Sequence, residues 1–434
     1  MKKYDEYKDS GVAWIGEVPK HWEIIPLKFT GTFGNGLTYS PKDVVDKGIL
    51  VLRSSNIQNS SLSFEDNVYV SKVSRDLLVN KGDVIICSRN GSAALVGKSA
   101  FVDKELKATF GAFMMRYIPN IDKKYGFYLF QTAIGQYKGY FSTTTINQLT
   151  KTTIGEIKIP LAMAEEQAAI VTYLDTHCAK IDNLISIQQK RIALLQELKQ
   201  SVITHAVTKG LNPNVEMKQS GVEWIGDVPK HWEVCKLKHY SQVFGRIGFR
   251  GYNQTDLVNE GEGAITLSPS NMQNGILNYD KCSYLSWKKY YESPEIMIYN
   301  DDVLFVKTGS TYGKISYVAD LPMEATINPQ IVVFKNIKGN NKYLYYLLSN
   351  DIVQMQVSLT VGGSTIPTLS QESILNYIVP LAPKVEQAAI ASYLDHKCAT
   401  IDTSISNAQH QIDLLQEYKQ SLITEVVTGK YKVC

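Results

Sequence analysis

The sequence predicts an α+β (mixed α/β) fold. Two similar globular domains are separated by two long helices packed as an antiparallel coiled coil, in a pseudo-two-fold, effectively circular arrangement. Three observations predict it. Residues 10–23, SGVAWIGEVPKHWE, return as 220–233, SGVEWIGDVPKHWE, with 12 of 14 positions identical. Residues 166–208 return as 386–428 with 27 identities in 43 ungapped positions. Between these blocks lie two divergent stretches, 24–158 and 234–378, of 135 and 145 residues. A repeat of this size marks a duplicated structural unit. The expected division is a first globular domain over 1–160, a helical segment over 161–210, a second globular domain over 211–380 and a second helical segment over 381–434.

Within the divergent stretches the expected strands include Ile49–Leu52, Asp83–Cys87 and Phe113–Tyr117. In the second copy they are Val303–Val306 and Ile331–Phe334. Each is short, β-branched or aromatic, and bounded by turn formers. Short helices are expected near 124–138 and 341–357. Landmarks tie the two stretches together. Leu52-Arg-Ser-Ser-Asn56-Ile-Gln58-Asn59 matches Leu267-Ser-Pro-Ser-Asn271-Met-Gln273-Asn274, and Asn90-Gly91-Ser92 matches Thr308-Gly309-Ser310. Ala108-Thr109 matches Ala325-Thr326, and Thr145-Ile146 matches Thr365-Ile366. One fold carrying two different surfaces is the expectation.

The repeated segments read as helices. Ile170, Leu174, Ile181, Leu184, Ile185, Ile192, Leu195, Leu198 and Val202 recur at steps of three, four and seven, as do Ile390, Leu394, Ile401, Ile405, Ile412, Leu415, Leu422 and Val426. That spacing draws an apolar stripe on one helix face. Ile181, Ile185, Ile192, Leu195 and Val202, with Ile401, Ile405, Ile412, Leu415 and Leu422, are the expected core of the helix pair. Gln188 and Arg191 interrupt the first stripe, and Ala408 and Gln411 the second. Pro160 and Pro380 precede the helices, Glu165, Glu166 and Glu386 suit the positive first turn, and Gly210 and Gly429 supply stops. An unbroken 43-residue helix spans roughly 65 Å, and a break near Thr176 or His396 leaves nearer 40 Å. A two-fold axis crossing the pair makes the helices antiparallel and brings the N-terminus to the end of the second helix.

Composition narrows the function. Apolar residues make up 44% and charged residues 20%, as in globular proteins. No run approaches the roughly 18 apolar residues of a membrane span, and the N-terminus lacks the apolar stretch of a secretory signal, so a cytoplasmic location is expected. Six scattered cysteines without CxxC spacing read as reduced thiols. The net charge is +3, but residues 1–163 alone carry +6, which favours a polyanion weakly.

Catalytic motifs fail on count. Gly91 to Lys98 places five residues between glycines where a phosphate loop needs four, and Gly309 to Lys314 places three. Asp83 with Glu105-Leu106-Lys107 is the nearest approach to a nuclease cluster, and the second copy lacks it. No Asn-Pro-Pro-aromatic or Asp-Pro-Pro-aromatic sequence marks a methyl donor site, and no HxxxH pair marks a metal. His21 and His231 fall in Pro-Lys-His-Trp turns and read as structural. Cys178 and Cys398 fall among the helical apolar positions and read as packing residues. No metal site and no cofactor of the chain's own are expected. Recognition remains, since the globular domains are rich in Asn, Gln, Ser, Thr and Tyr near glycine loops.

Several segments together resemble one family. Ile159 to Ala162, Glu166-Gln167, Leu174-Asp175, Ile181-Asp182 and Leu194-Leu195-Gln-Glu197-Leu-Lys199 are similar to the conserved-region helices of specificity subunits of Type I restriction–modification enzymes. Val379 to Ala382, Glu386-Gln387 and Leu414-Leu415-Gln-Glu417-Tyr-Lys419 repeat the pattern. Trp224 to Trp232 and its N-terminal twin resemble the segment that leads into that family's target-recognition domains. The resemblance covers essentially the whole chain. It implies a non-catalytic subunit whose two target-recognition domains each read half of a split, asymmetric double-stranded DNA sequence. It further implies that the helices set the spacer and dock two methyltransferase subunits, which bind S-adenosylmethionine and methylate adenine. Motor-nuclease subunits using ATP and Mg would complete the complex, and no membrane is involved.

The candidate DNA-binding residues rest on residue type and loop context. In the first unit they are Asn35, Thr38, Tyr39, Ser54, Asn56, Arg89, Asn90 and Ser92. In the second they are Arg246, Arg250, Tyr252, Ser270, Asn271, Lys307, Thr308, Ser310 and Tyr312. Arg89 and Lys307 stand out because each follows a strand and precedes a Gly-Ser loop. Three other readings compete: a stand-alone nuclease with DNA readers, a DNA-binding regulator without enzymatic partners, and a scaffold of protein-interaction domains.

Overall fold

The chain folds as two compact units, Met1–Gln188 with His410–Cys434, and Gln189–Gln409. The computed structural model describes residues 2–137, 148–273, 275–361 and 367–433. Asn274, Thr145-Ile146 and Thr365-Ile366, among the matched landmarks, lie outside the described residues.

In the first unit the run Val84–Cys87 is buried at every position, as expected of a β-branched strand covered on both faces. It lies in a four-stranded antiparallel sheet ordered Ser99–Phe101, Val84–Cys87, Met114–Pro119, Gly31–Asn35. A second sheet is ordered Ala108–Phe110, Ile49–Leu52, Tyr69–Val70, Val44–Val45, and its first pair is parallel with Thr109 opposite Val51. The second unit repeats this plan. Gln242–Gly245, Ile331–Lys335, Val303–Val306 and Ile315–Tyr317 form the antiparallel sheet. The other sheet pairs Gly263–Leu267 in parallel with Ala325–Ile327, Thr266 opposite Thr326. The landmark Ala-Thr pairs thus mark one structural position in both copies.

The helix expected near 124–138 is Lys123–Tyr137, which buries Tyr125, Phe127, Tyr128, Leu129 and Phe130. The one expected near 341–357 is two helices, Asn341–Ser349 and Asp351–Val361. Asn350 breaks it. Its buried side chain accepts hydrogen bonds from Ile352 N (2.8 Å) and Val353 N (3.1 Å), capping the second helix in place of continuing the first.

The long helices are Ala164–Lys209 and Lys384–Val427, of 46 and 44 residues. Both run unbroken past Thr176 and His396, so the shorter expectation does not hold. Each gives about 65–70 Å of continuous helix. Gly210 (φ 77°) and Gly429 (φ 72°) take the left-handed conformation that ends them. In the first unit Asp182 accepts from Lys419 (2.7 Å), and in the second Asp402 accepts from Lys199 (2.7 and 2.8 Å). The 220-residue offset carries one pair into the other, so they are the same contact with the repeats exchanged. In the first unit Gly429, after one helix, abuts Trp22, which is bonded to Glu166 at the start of the other. In the second Gly210 abuts Trp232, which is bonded to Glu386. The helix segments in each unit are therefore antiparallel.

Ile181, Ile185, Ile401, Ile412 and Leu422 are buried, whereas Ile192, Leu195, Val202, Ile405 and Leu415 are half-buried. Leu184 and Leu198, read as part of the stripe, are 47% and 50% exposed. Each is next to an inward residue, Ile185 or Lys199, and a step of one residue turns a side chain by about 100°. Ala408, read as an interruption, is buried.

A polar latch joins each sheet lobe to its helix. In the first unit Trp22 Nε1 donates to Glu166 (2.8 Å), and His21 pairs with the same carboxylate (3.1 Å). Buried Gln167 donates to the Ala162 carbonyl (2.9 Å) and accepts from Asp122 N (3.0 Å). Tyr125 Oη accepts from Ala162 N (3.0 Å), and Tyr128 Oη donates to Asp175 (2.6 Å). Burial, and then that carboxylate, raise the Tyr128 phenol above its ordinary value. The second unit repeats every contact. Trp232 donates to Glu386 (2.9 Å) and Gln387 to the Ala382 carbonyl (2.7 Å). Gln387 accepts from Asn340 N (3.0 Å), Tyr343 from Ala382 N (3.3 Å), and Tyr346 donates to Asp395 (2.7 Å). The N-terminus docks on the end of the second long helix, where Tyr7 Oη donates to the Lys430 carbonyl (3.1 Å) and Lys430 Nζ to Ile15 O (2.8 Å).

Cys178 and Cys398 are buried, as their helical positions suggest, and burial raises both thiols. Replacing Tyr125 or Tyr343 by Phe strands a buried backbone N–H. Each change should cost about 1–3 kcal/mol in urea unfolding, whereas exposed Tyr291→Phe should stay within about 0.5 kcal/mol.

Candidate nucleic-acid interface

In the first unit both sheets deliver loops to one cleft of about 1170 Å³. It lies between the chain after Gly31–Asn35, the turn after Ile49–Leu52, the loop after Val84–Cys87 and the connection Gly111–Met114. Thr38, Tyr39, Ser54, Arg89 and Asn90, five of the eight sequence candidates, line it. Asn90 Nδ2 donates to Ser54 Oγ (3.3 Å), which links two of the loops. Asn35 and Ser92 are exposed but do not line it.

Asn56 is a correction. It is fully buried, and its amide donates to the Ser63 and Asp66 carbonyls (3.0 Å each), so it shapes the loop and cannot reach a base. Phe113 and Arg53 are among the lining residues outside the sequence candidates. Phe113 had been placed inside a strand, but the strand begins at Met114 and Phe113 is 60% exposed. The Arg89 guanidinium sits over its ring at 5.4 Å, an arrangement that orients the cation. Arg53 pairs with Asp66 at 2.8 Å. The Arg53 side chain, then Ser55, holds the Asp66 carboxyl below the usual carboxylate range. The signal for Arg53 is its place inside the landmark Leu52–Asn59, three residues before Asn56.

The second unit brings Arg246, Arg250 and Tyr252 together, with Arg246 Nη1 donating to the Arg250 carbonyl (3.4 Å). Arg246 is a second correction: it is buried, donates to Ile327 O (3.2 Å) and Thr326 Oγ1 (3.0 Å), and lies over the Tyr252 ring. Burial lowers its guanidinium from the ordinary value, and its donors serve the fold. Asn271 is a third, buried like Asn56 and bonded to the Asn278 and Lys281 carbonyls (3.1 Å each). Arg250 is paired with Glu295 at 3.2 Å. Tyr252 and Tyr312 are half-buried, and Ser270 and Ser310 are exposed. Lys307 and Thr308, half-buried, follow the strand Val303–Val306 as Ser88 and Arg89 follow Val84–Cys87. The Ser88 and Lys307 carbonyls accept from Leu149 N and Leu369 N, and Arg89 and Thr308 bridge to Gln148 and Thr368, one residue off the sequence landmark.

The two lobes therefore share a frame and differ in the side chains that it presents. The sequence pattern of the Type I restriction modification DNA specificity domain matches residues 19–197 and 229–412, once over each copy. The chain belongs to this family. It is 23% identical over 430 residues to the Type I restriction enzyme MjaVIII specificity subunit of Methanocaldococcus jannaschii, covering 96% of this chain and 94% of that one. It is 26% identical to the putative MjaX specificity subunit of the same organism, with 96% of each covered. A solved chain, described under "Structural basis underlying complex assembly and conformational transition of the type I R-M system", shares the fold with a TM-score of 0.68 at 14% identity. The match covers 94% of this chain and 98% of that one.

In this specificity-domain protein, Asp83 is buried against Arg116 (3.6 Å), whereas Glu105 is exposed. Among the described residues no group of three His, Cys, Asp or Glu side chains is placed to hold a metal, and no helix is long and apolar enough to cross a membrane. The histidines of the two Pro-Lys-His-Trp turns serve the latch.

Arg89→Ala and Lys307→Ala should each weaken specific DNA binding about 10-fold. A residue that contacts phosphate should also lower the slope of log affinity against log salt by about 1. Fluorescence titration across a salt series measures both, and an unchanged affinity and slope removes that residue from the interface.

Proposed function

We propose that this chain is the non-catalytic DNA sequence-specificity subunit of a Type I restriction–modification complex. Each lobe reads one half of a bipartite, asymmetric double-stranded target. The functional division follows residues 1–160, 161–210, 211–380 and 381–434. The long helices set the number of unspecified base pairs and carry two methyltransferase subunits. Those partners bind S-adenosylmethionine and methylate adenine, and motor-nuclease subunits bring ATP- and Mg-dependent translocation and cleavage. The assembly works in the cytoplasm.

One observation carries the reading: an identical latch in each unit supports loops whose presented residues differ. Arg53 is replaced by Ser268, Ser88 by Lys307 and Arg89 by Thr308 at positions matched by their backbone contacts. A frame held constant under changed hydrogen-bonding groups suits two readers of unlike base sequence. The helices support the partner reading. Leu194 and Leu198 are 65% and 50% exposed in the second unit, and their counterparts Leu414 and Tyr418 are 49% and 52% exposed in the first. Apolar side chains exposed at duplicated positions suit two copies of one partner.

Two experiments test this. Leu194→Glu with Leu414→Glu should abolish co-purification of the co-expressed methyltransferase while leaving thermal unfolding of the chain unchanged; retained partners refute the docking face. Inserting four residues, about one turn, into both long helices should change the spacer of the methylated site read by methylome sequencing. Methylation at the original spacing refutes the ruler.

A further inference from the structure

The duplication makes two turns directly comparable. In the first unit Ser54–Asn56 follows the strand Ile49–Leu52, and in the second Pro269–Asn271 follows Gly263–Leu267. The buried asparagine does the same work in each. Its Oδ1 accepts from the backbone N three residues back, Arg53 or Ser268, at 3.0 Å in both. Its Nδ2 donates to the carbonyls seven and ten residues ahead, Ser63 and Asp66 or Asn278 and Lys281. The frame is constant, and the residue suspended at its edge is not.

Arg53 lines the cleft and its side chain is 32% exposed. One nitrogen, Nη2, is engaged by Asp66, at 2.8 Å to the carboxylate and 3.2 Å to the carbonyl. Nε is buried and unpaired, so Nη1, which makes no hydrogen bond among the described residues, is the nitrogen left for a ligand. Arg116, which serves the fold, has a buried, unpaired Nε too but spends both Nη1 and Nη2 on the Leu78 and Asp76 carbonyls (2.6 and 2.7 Å), and Arg246 is buried. Ser268, at the matched position, folds its hydroxyl back onto Ser270 (2.7 Å) and Asn271 (2.9 Å).

We infer that positions 53 and 268 are matched specificity-determining positions, and that Arg53, oriented by Asp66, reads a guanine in the half-site of the first unit. This rests on the DNA-reading function proposed above. A carboxylate holding Nη2 fixes the plane of the guanidinium and leaves the two N–H groups of Nη1 for a second acceptor pair. Guanine alone presents two adjacent acceptors, O6 and N7, in the major groove. Asp66 is a positioning residue that acts through Arg53. The second unit has Ser268 and Lys281 at these places, so this position contributes no guanine preference there.

The test uses the full chain with its methyltransferase partners. Binding is competed against duplexes carrying single-base replacements throughout both half-sites. Arg53→Ala should flatten the preference at one guanine by roughly 10- to 100-fold and leave the second half-site unchanged. Arg53→Lys, which keeps charge and stem but not the planar fork, should lose the same preference while retaining nonspecific affinity. Asp66→Asn should weaken it several-fold at that base alone. The inference is overturned if the wild-type complex selects a bipartite target and Arg53→Ala keeps every base preference, or loses affinity for all sequences equally. A wild-type complex that selects no bipartite target overturns the functional reading and this inference with it.

Discussion

The buried glutamine at the start of each long helix is the constraint on which the rest depends. Gln167 and Gln387 are 5% and 2% exposed, and each amide bridges the helix approach and the lobe. A buried amide with its donors and acceptors satisfied is specific in geometry, because any shift leaves polar groups unpaired at about 1–3 kcal/mol each. The neighbouring glutamate adds a charge-assisted bond from the tryptophan indole. Lobe and helix are thus fixed by groups that tolerate little displacement, while the cleft side of the lobe is free to change.

That separation explains the pattern of divergence. Residues that face the latch are duplicated one for one, including the tyrosine pairs Tyr125/Tyr343 and Tyr128/Tyr346, although they lie inside stretches that otherwise differ. The reciprocal ion pairs Asp182–Lys419 and Lys199–Asp402 set helix register in the same way in each unit. Their carboxylates are half-exposed, so they contribute more to register than to stability.

Much of this was legible in the sequence. The repeats stated the plan, the strands Ile49–Leu52 and Val303–Val306 came from β-branched runs, and the glycine stops fell where the helices end. What escaped depends on contacts between distant residues. The composition of a loop cannot tell an asparagine that reads bases from one that braces a turn, so Asn56 and Asn271 were placed on the surface and are buried. Arg246 reads as a DNA contact from residue type and loop context, but the neighbouring strand end supplies Ile327 O and Thr326 Oγ1 and absorbs it. Asn350 looked like part of one helix because its capping role needs the following backbone in place. Phe113 was lost because an exposed aromatic next to a strand is indistinguishable by pattern from the strand's first residue.

The central claim is that one latched frame carries two independent readers. Replacing residues 24–158 by a second copy of 234–378 keeps the latch, since Asn340, Tyr343 and Tyr346 take over from Asp122, Tyr125 and Tyr128. Methylome sequencing of cells carrying this chain and its methyltransferase measures the outcome directly. The account predicts a symmetric, interrupted target built from two inverted copies of the second half-site. Methylation confined to the original asymmetric target would contradict it.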